Sequence, residues 1–249
     1  MIKDSKLLID KNCPMCNIYG RCFEKMGLVD KNTIDYYQDI EAPIFSQINQ
    51  EKAKSEVAFI HPKSGEVSYG VDAFLKILGH QNRFFNWFLH TPPMYFFAKN
   101  LYRFISYNRQ VIAGKFIDPS ERDCTPSAHL GYRSLYILLA AVFTGIIVNH
   151  FTFLLDGELA LQHNNWREFL ICFGQIGWQL VAVSLIRKEK RLDYLGNMST
   201  VSVIGGLLLV PLFIFDAFGS LNHWQLLLYF AIVVGSMFLM HLKRSKNIG

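Results

Sequence analysis

Four long apolar stretches in the second half of the chain constrain it more than any other feature. Residues 134–155, 169–186, 201–218 and 224–242 together hold one formal charge, Asp216. A helix of about 20 apolar residues crosses a hydrocarbon core of roughly 30 Å, and a helix satisfies its own backbone polar groups where no water can. The chain has 249 residues and is 51% hydrophobic, too apolar for an ordinary soluble two-domain protein. The expectation is an all-α transmembrane four-helix domain over residues 134–249, with the lipid bilayer as its partner.

The net charge of +5 lies beside these stretches. Arg133 precedes the first, Arg187, Lys188, Lys190 and Arg191 lie between the second and third, and Lys243, Arg244 and Lys246 follow the fourth. The opposite connections, residues 156–167 and 219–223, hold Arg167 against Asp156 and Glu158. Positive residues gather on the cytoplasmic side of a membrane, so this charge reads as topology and not as nucleic-acid binding. The first ten residues offer Lys3 and Lys6 but only the brief apolar run Leu7 to Ile9, too short for a signal peptide. These features predict a bacterial inner-membrane protein, multi-pass, with both termini in the cytoplasm. Gln175, Gln179, His150, Pro211 and Asp216 are read as interhelical contacts, a kink or span-end residues. Neither outer connection contains a cysteine, which speaks against a thiol relay across the membrane.

The first half has a different grammar. Lys6 to Ile9 reads as a strand, Pro14 to Met26 as a helix, Ile34 to Tyr37 as a strand and Pro43 to about Lys54 as a helix. Val57 to Ile60 and Val67 to Tyr69 form a hairpin across a glycine-containing turn, and Val71 to Leu78 a helix closed by Gly79. This βαβαββα order is an α/β thioredoxin-like layout. Between the first strand and helix lies Asp10-Lys11-Asn12-Cys13-Pro14-Met15-Cys16. Pro14 suits the first helical position, which makes Cys13 the N-cap. There its sulfur would accept amide hydrogen bonds and feel the positive end of the helix dipole, which lowers a thiol pKa. Cys13 is therefore expected to be the more exposed thiol and the nucleophile, with Cys16 one turn on to resolve a mixed disulfide. Asp10 either accepts the Cys16 proton or satisfies amides in the loop.

Asp10, Cys13 and Cys16 reproduce the Asp-x-x-Cys-x-x-Cys signature of the DCC family of thiol-disulfide oxidoreductases. The hairpin and helix from Val57 to Phe74, Leu101-Tyr102 and Asn108-Arg109 also resemble that family, whose fold is thioredoxin-like. The resemblance implies thiol-disulfide exchange with a thiol- or disulfide-bearing protein substrate. Lys11 replaces the family's glycine after the Asp, and Ser55-Glu56 stands where thioredoxins carry a proline.

Residues 1–117 are thus read as a thioredoxin-like domain, 118–133 as a polar linker and 134–249 as the membrane domain. Within the first, residues 81–117 read as a helix pair covering one face, or else as an interfacial helix with Met94, Phe97, Leu101, Phe104 and Ile105 on one side. Cys22 is expected to be packed and Cys124 to be an exposed linker thiol, the alternative being a third redox partner folded back on the head. A zinc site needs four ligands where Cys22, Cys124 and His61 are scattered, so neither metal nor cofactor is called for. The function expected is a membrane-anchored protein-disulfide reductase. The alternative is a non-enzymatic binding or assembly module on the same scaffold.

Overall fold

The computed structural model describes residues 5–79, 83–114, 122–127, 129–155, 166–183, 188–219 and 222–246. They form two compact units, Met1–His129 and Leu130–Gly249.

The first unit is built on a four-stranded mixed sheet in the order β2-β1-β3-β4. Its strands are β1 (Lys6–Ile9), β2 (Ile34–Tyr36), β3 (Ala58–His61) and β4 (Glu66–Tyr69). β1 pairs parallel with β2 and antiparallel with β3, and β3 pairs antiparallel with β4. Because β1 is covered on both faces, Leu7, Leu8 and Ile9 are all buried, which explains a continuous apolar run in place of alternation. On one face, α1 (Pro14–Lys25), α4 (Val71–Gly79) and α6 (Pro92–Ala113) cover Leu7, Ile9, Val57 and Phe59. Cys16, Gly20 and Phe23 form the buried line of α1. Gly20 lets the helix lie close to the sheet, since a Cβ there would sit 3.2 Å from Ile9 Cδ1.

The opposite face packs Leu8, Ala58 and Ile60 against Tyr37, Ile40, Ile48, Ala53 and Cys124. The helix expected over 43–54 is divided here into α2 (Ala42–Phe45) and α3 (Gln50–Ser55). Asn49 supplies the reason, because its side chain accepts the Lys52 N–H at 3.0 Å and starts a new helix. Residues 122–127, read from sequence as linker, lie on this face as a strap. Arg122 stacks on Phe45 and donates to the Ile40 carbonyl at 2.8 Å, and Cys124 is only 2% exposed. The expectation of an exposed Cys124 is thereby corrected: the apolar cluster under the strap takes the thiol in. Residues 118–121 and 128 of the expected linker lie outside the described residues.

The helix pair is α5 (Arg83–Leu89) followed by α6. α6 buries Ser106, Asn108, Arg109 and Val111 and exposes Phe96, Phe97, Leu101 and Ile105. One side of it covers the head and the other is an unpaired apolar stripe.

The second unit consists of α7 (Leu130–Leu154), α8 (Arg167–Val183), α9 (Lys188–Phe218) and α10 (His223–Lys246). Among the described residues three helices are long and apolar enough to cross a membrane, within Leu130–Leu154, Lys190–Phe215 and His223–Ser245. The expected second span, α8, extends over 17 described residues, about 25 Å at the helical rise, and residues 184–187 lie outside the described part. Ile147, Phe151, Leu209, Leu212, Leu226 and Val233 form the shared core of α7, α9 and α10. Arg133 is buried and pairs with Asp193 at 3.1 Å, and Tyr136 shares a 2.7 Å hydrogen bond with Thr200. Pro211 lies inside α9 without ending it. His150 meets the Phe213 ring edge-on, while Gln175 and Gln179 line a recess with Thr144, Cys172, Ser199 and Ser202. The Asp216 side chain lies outside the described residues.

Candidate active site

The turn after β1 is held by Asp10. This carboxylate is buried and its Oδ1 accepts from Gln38 Nε2 at 2.7 Å and from the Asn12 N–H at 3.1 Å. Gln38 in turn accepts the Lys11 N–H at 3.1 Å, and the Asp10 carbonyl accepts the Cys13 N–H at 3.2 Å. Asp10 therefore satisfies the loop amides, the second of its two expected roles. Its Oδ2 also faces Arg109 Nη2 at 3.8 Å, which makes it part of the charge balance at the sulfurs. The Lys11 side chain points outward to Asp39 at 3.3 Å.

Pro14 occupies the first turn of α1 and Cys13 is the N-cap, with the extended backbone that a cap requires. The Cys13 sulfur closes no cap hydrogen bond. Nor is it exposed: Cys13 is 3% and Cys16 1% accessible, so the pair is a closed site. Cys13 donates its S–H to the Cys16 sulfur, which raises the Cys13 thiol well above its ordinary value, with burial acting in the same direction. Accepting that bond lowers Cys16 from 9.0 to about 6; burial opposes this, while Arg109, the Tyr19 hydroxyl and the Asp10 amide support it. A guanidinium, a phenol and a thiol converge on Cys16, and the same guanidinium also favours charge on Cys13.

Arg109 comes from the far end of α6 and is 7% exposed. Its Nη1 lies 3.9 Å from Cys16 Sγ, and its Nη2 donates to the carbonyls of Lys54 and Cys124, both at 2.7 Å. Burial disfavours its charge, but the surrounding sulfurs and the Tyr19 oxygen outweigh that and hold it protonated. Two turns back, Tyr102 is half-buried and its hydroxyl accepts the Val57 N–H at 2.9 Å. That bond ties α6 to the entry of β3, where Ser55-Glu56 stand. Arg109 and Tyr102 entered the sequence reading only through the resemblance. Tyr19 was missed, although its position three residues after Cys16 on α1 places it on the same side.

The sulfur of Cys16 opens on an apolar pocket of about 200 Å³ lined by Met15, Cys16, Tyr19, Phe74, Tyr102, Ile105, Ser106 and Arg109. Exposed Leu101 and Phe97 continue its rim along α6 at helical spacing. Cys22 is exposed rather than packed. It lies six residues beyond Cys16, off the Cys16-Gly20-Phe23 line that faces the sheet. The arrangement provides two sulfurs that share a proton, a fixed cation beside one of them, and an apolar recess at the same atom. Those are the requirements of thiol-disulfide exchange.

Residues 7–115 match the sequence model of the family described as DCC1-like thiol-disulfide oxidoreductase. No curated protein and no solved structure gives a match. The matched region contains all of the sheet but Lys6, together with Cys13, Cys16, Asp10, Tyr102 and Arg109, and ends before Cys124.

Proposed function

Since residues 7–115 match the DCC1-like thiol-disulfide oxidoreductase family model, we propose that the chain is a membrane-anchored protein-disulfide reductase. The observation that carries this reading is the setting of Cys16, with a thiolate favoured by Cys13, Arg109 and Tyr19 at the wall of an apolar pocket. In the reaction, the Cys16 thiolate attacks one sulfur of a substrate disulfide and the other substrate sulfur leaves as a thiolate that takes a proton. Cys13 then loses its proton and attacks Cys16. The second substrate thiol leaves, and the head holds a Cys13–Cys16 disulfide, two electrons having passed to the substrate. A thiol pool returns the head to the dithiol.

The pocket, walled by Met15, Tyr19, Phe74 and Ile105, favours a protein segment with an apolar side chain beside its cysteine over a small charged disulfide. The basic residues at the inner ends of all four apolar stretches favour a bacterial inner membrane with the head in the cytoplasm, and α8 then crosses with the other three. There the glutathione poise lies below about −220 mV and keeps most dithiols reduced, which sets the direction as reduction.

Two measurements test the proposal. Titration of the full chain against redox buffers is expected to give a reversible Cys13–Cys16 disulfide. Its absence would favour a binding or assembly module in which the thiols are incidental. Cys13→Ser combined with Cys124→Ser is expected to accumulate mixed disulfides on Cys16. Accumulation in Cys16→Ser alone would return the attacking role to the N-cap thiol.

A further inference from the structure

The strap brings a third sulfur to the site. Cys124 Sγ lies 3.8 Å from Arg109 Nη2, the same guanidinium whose Nη1 lies 3.9 Å from Cys16 Sγ. The Cys124 carbonyl accepts from that Nη2 at 2.7 Å, which fixes the cysteine backbone as well as its sulfur. Cys124 Sγ also donates to the Ala53 carbonyl, at 3.7 Å. One buried guanidinium thus touches two sulfurs, one from the matched region and one from beyond it. An apolar cluster would hold a cysteine without any of these polar contacts.

We infer that Cys124 is a third exchange thiol, which takes the Cys16 sulfur out of the Cys13–Cys16 disulfide. The relay rests on the proposed reductase reading, and its driving force is electrostatic. In the dithiol state the negative charge on Cys16 answers Arg109. Oxidation of the pair removes that charge and leaves the guanidinium facing Asp10 Oδ2 at 3.8 Å and the Cys124 thiol. A cation beside a thiol favours its thiolate, so Cys124 becomes more reactive when a disulfide is present for it to attack. The Cys124 thiol gives up its proton, its sulfur bonds to Cys16, and the Cys16–Cys13 bond breaks. Cys13 leaves as a thiolate and takes up a proton. No electrons are gained or lost, and the disulfide has moved from the buried pair to the strap.

Two cysteines on one exchange partner give Cys16 two ways out of a mixed disulfide, through Cys13 or through Cys124. The test uses the full chain in detergent, oxidised with oxidised glutathione, quenched in acid, alkylated and mapped as non-reduced peptides. In Cys13→Ser a linked Cys16–Cys124 peptide is expected as the main product, two thiols being oxidised as one glutathione disulfide is reduced to two thiols. In Cys13→Ser with Cys124→Ser the link is lost and Cys16 stays bound to glutathione. The inference is overturned if Cys13→Ser alone leaves Cys16 glutathionylated and Cys124 free. Should Cys13→Ser fail to fold, partial oxidation of the unaltered chain decides. A fraction with Cys16–Cys124 linked and Cys13 alkylated supports the relay, and Cys13–Cys16 as the sole linkage at every ratio excludes it. If no Cys13–Cys16 disulfide forms at all, it is the reductase reading that fails.

Discussion

Arg109 Nη1 stands 3.9 Å from Cys16 Sγ, 93 residues away in sequence, and this contact favours a thiolate on Cys16. With Cys16 lowered to about 6, its alkylation rate is expected to rise with pH and to reach half its maximum near that value. Arg109→Gln is expected to move the midpoint upward, because the cation that favours the thiolate is gone. Mass spectrometry of Cys16 alkylation from pH 4 to 9 reads both. An unmoved midpoint would remove Arg109 from the site's chemistry.

The same shift links pH to stability. The folded thiol ionises more readily than the unfolded one, so its contribution is complete above the ordinary thiol pKa and is lost as pH falls through about 6. The chain is expected to lose more stability between pH 8 and pH 5 than Cys16→Ser does. Hydrogen exchange at the β1 amides measures the difference.

Asp10→Ala removes the acceptor of Gln38 and Asn12 and one of the negative neighbours of Arg109. Breaking a buried charged network by deleting one member costs about 3–5 kcal/mol. Asp10→Asn keeps an acceptor for the Asn12 N–H and is expected to cost less than Asp10→Ala. Equal losses in the two variants, by exchange at β1, would show that packing alone matters there.

Gly70 has φ +57, and a Cβ built on it would come within 2.8 Å of Glu56 Oε2 and 3.1 Å of Tyr102 Cε1. Gly70→Ala therefore combines left-handed strain of about 1–2 kcal/mol with displacement of the tyrosine that receives the Val57 N–H. Tyr102→Phe leaves that N–H unanswered, at a cost of about 1–3 kcal/mol. Both are expected to slow reduction of a protein disulfide as well as to destabilise the head, since Tyr102 also lines the pocket.

An alkaline phosphatase fused after Gly249 is expected to be inactive, because that enzyme matures outside the cytoplasm and the proposed topology keeps the C-terminus within it. A second fusion ahead of Leu130 is expected to be inactive too. Activity at Gly249 alone would mean that α8 stays on one side of the bilayer and that three helices cross.

The sheet and its helices were legible because their signals are local. The apolar run before Cys13, the Gly65 turn and Pro14 each act within a few residues, and the structure places β1, α1 and the hairpin where they indicate. The division of the second helix was harder to read, because Asn49 competes with a helical pattern that Ile44, Phe45 and Ile48 sustain. The acidity of the sulfurs was not legible at all from the motif. Helix polarity pointed to Cys13, but Arg109 and Tyr19 act through space and favour Cys16. Burial of Cys124 had the same cause, since a polar, proline-bearing segment gives no sign of the cluster that receives one of its cysteines.

The strap has a consequence for how such a head can be inherited. Family likeness ends at residue 115, yet Cys124 fills the core beneath β1 and β3, and Arg122 closes it over Phe45. Gene fusion or exchange at the end of the likeness would open that core and strip Arg109 of two contacts. The heritable module is therefore longer than the recognisable one. Residues 122–127 belong structurally to the sheet they cover.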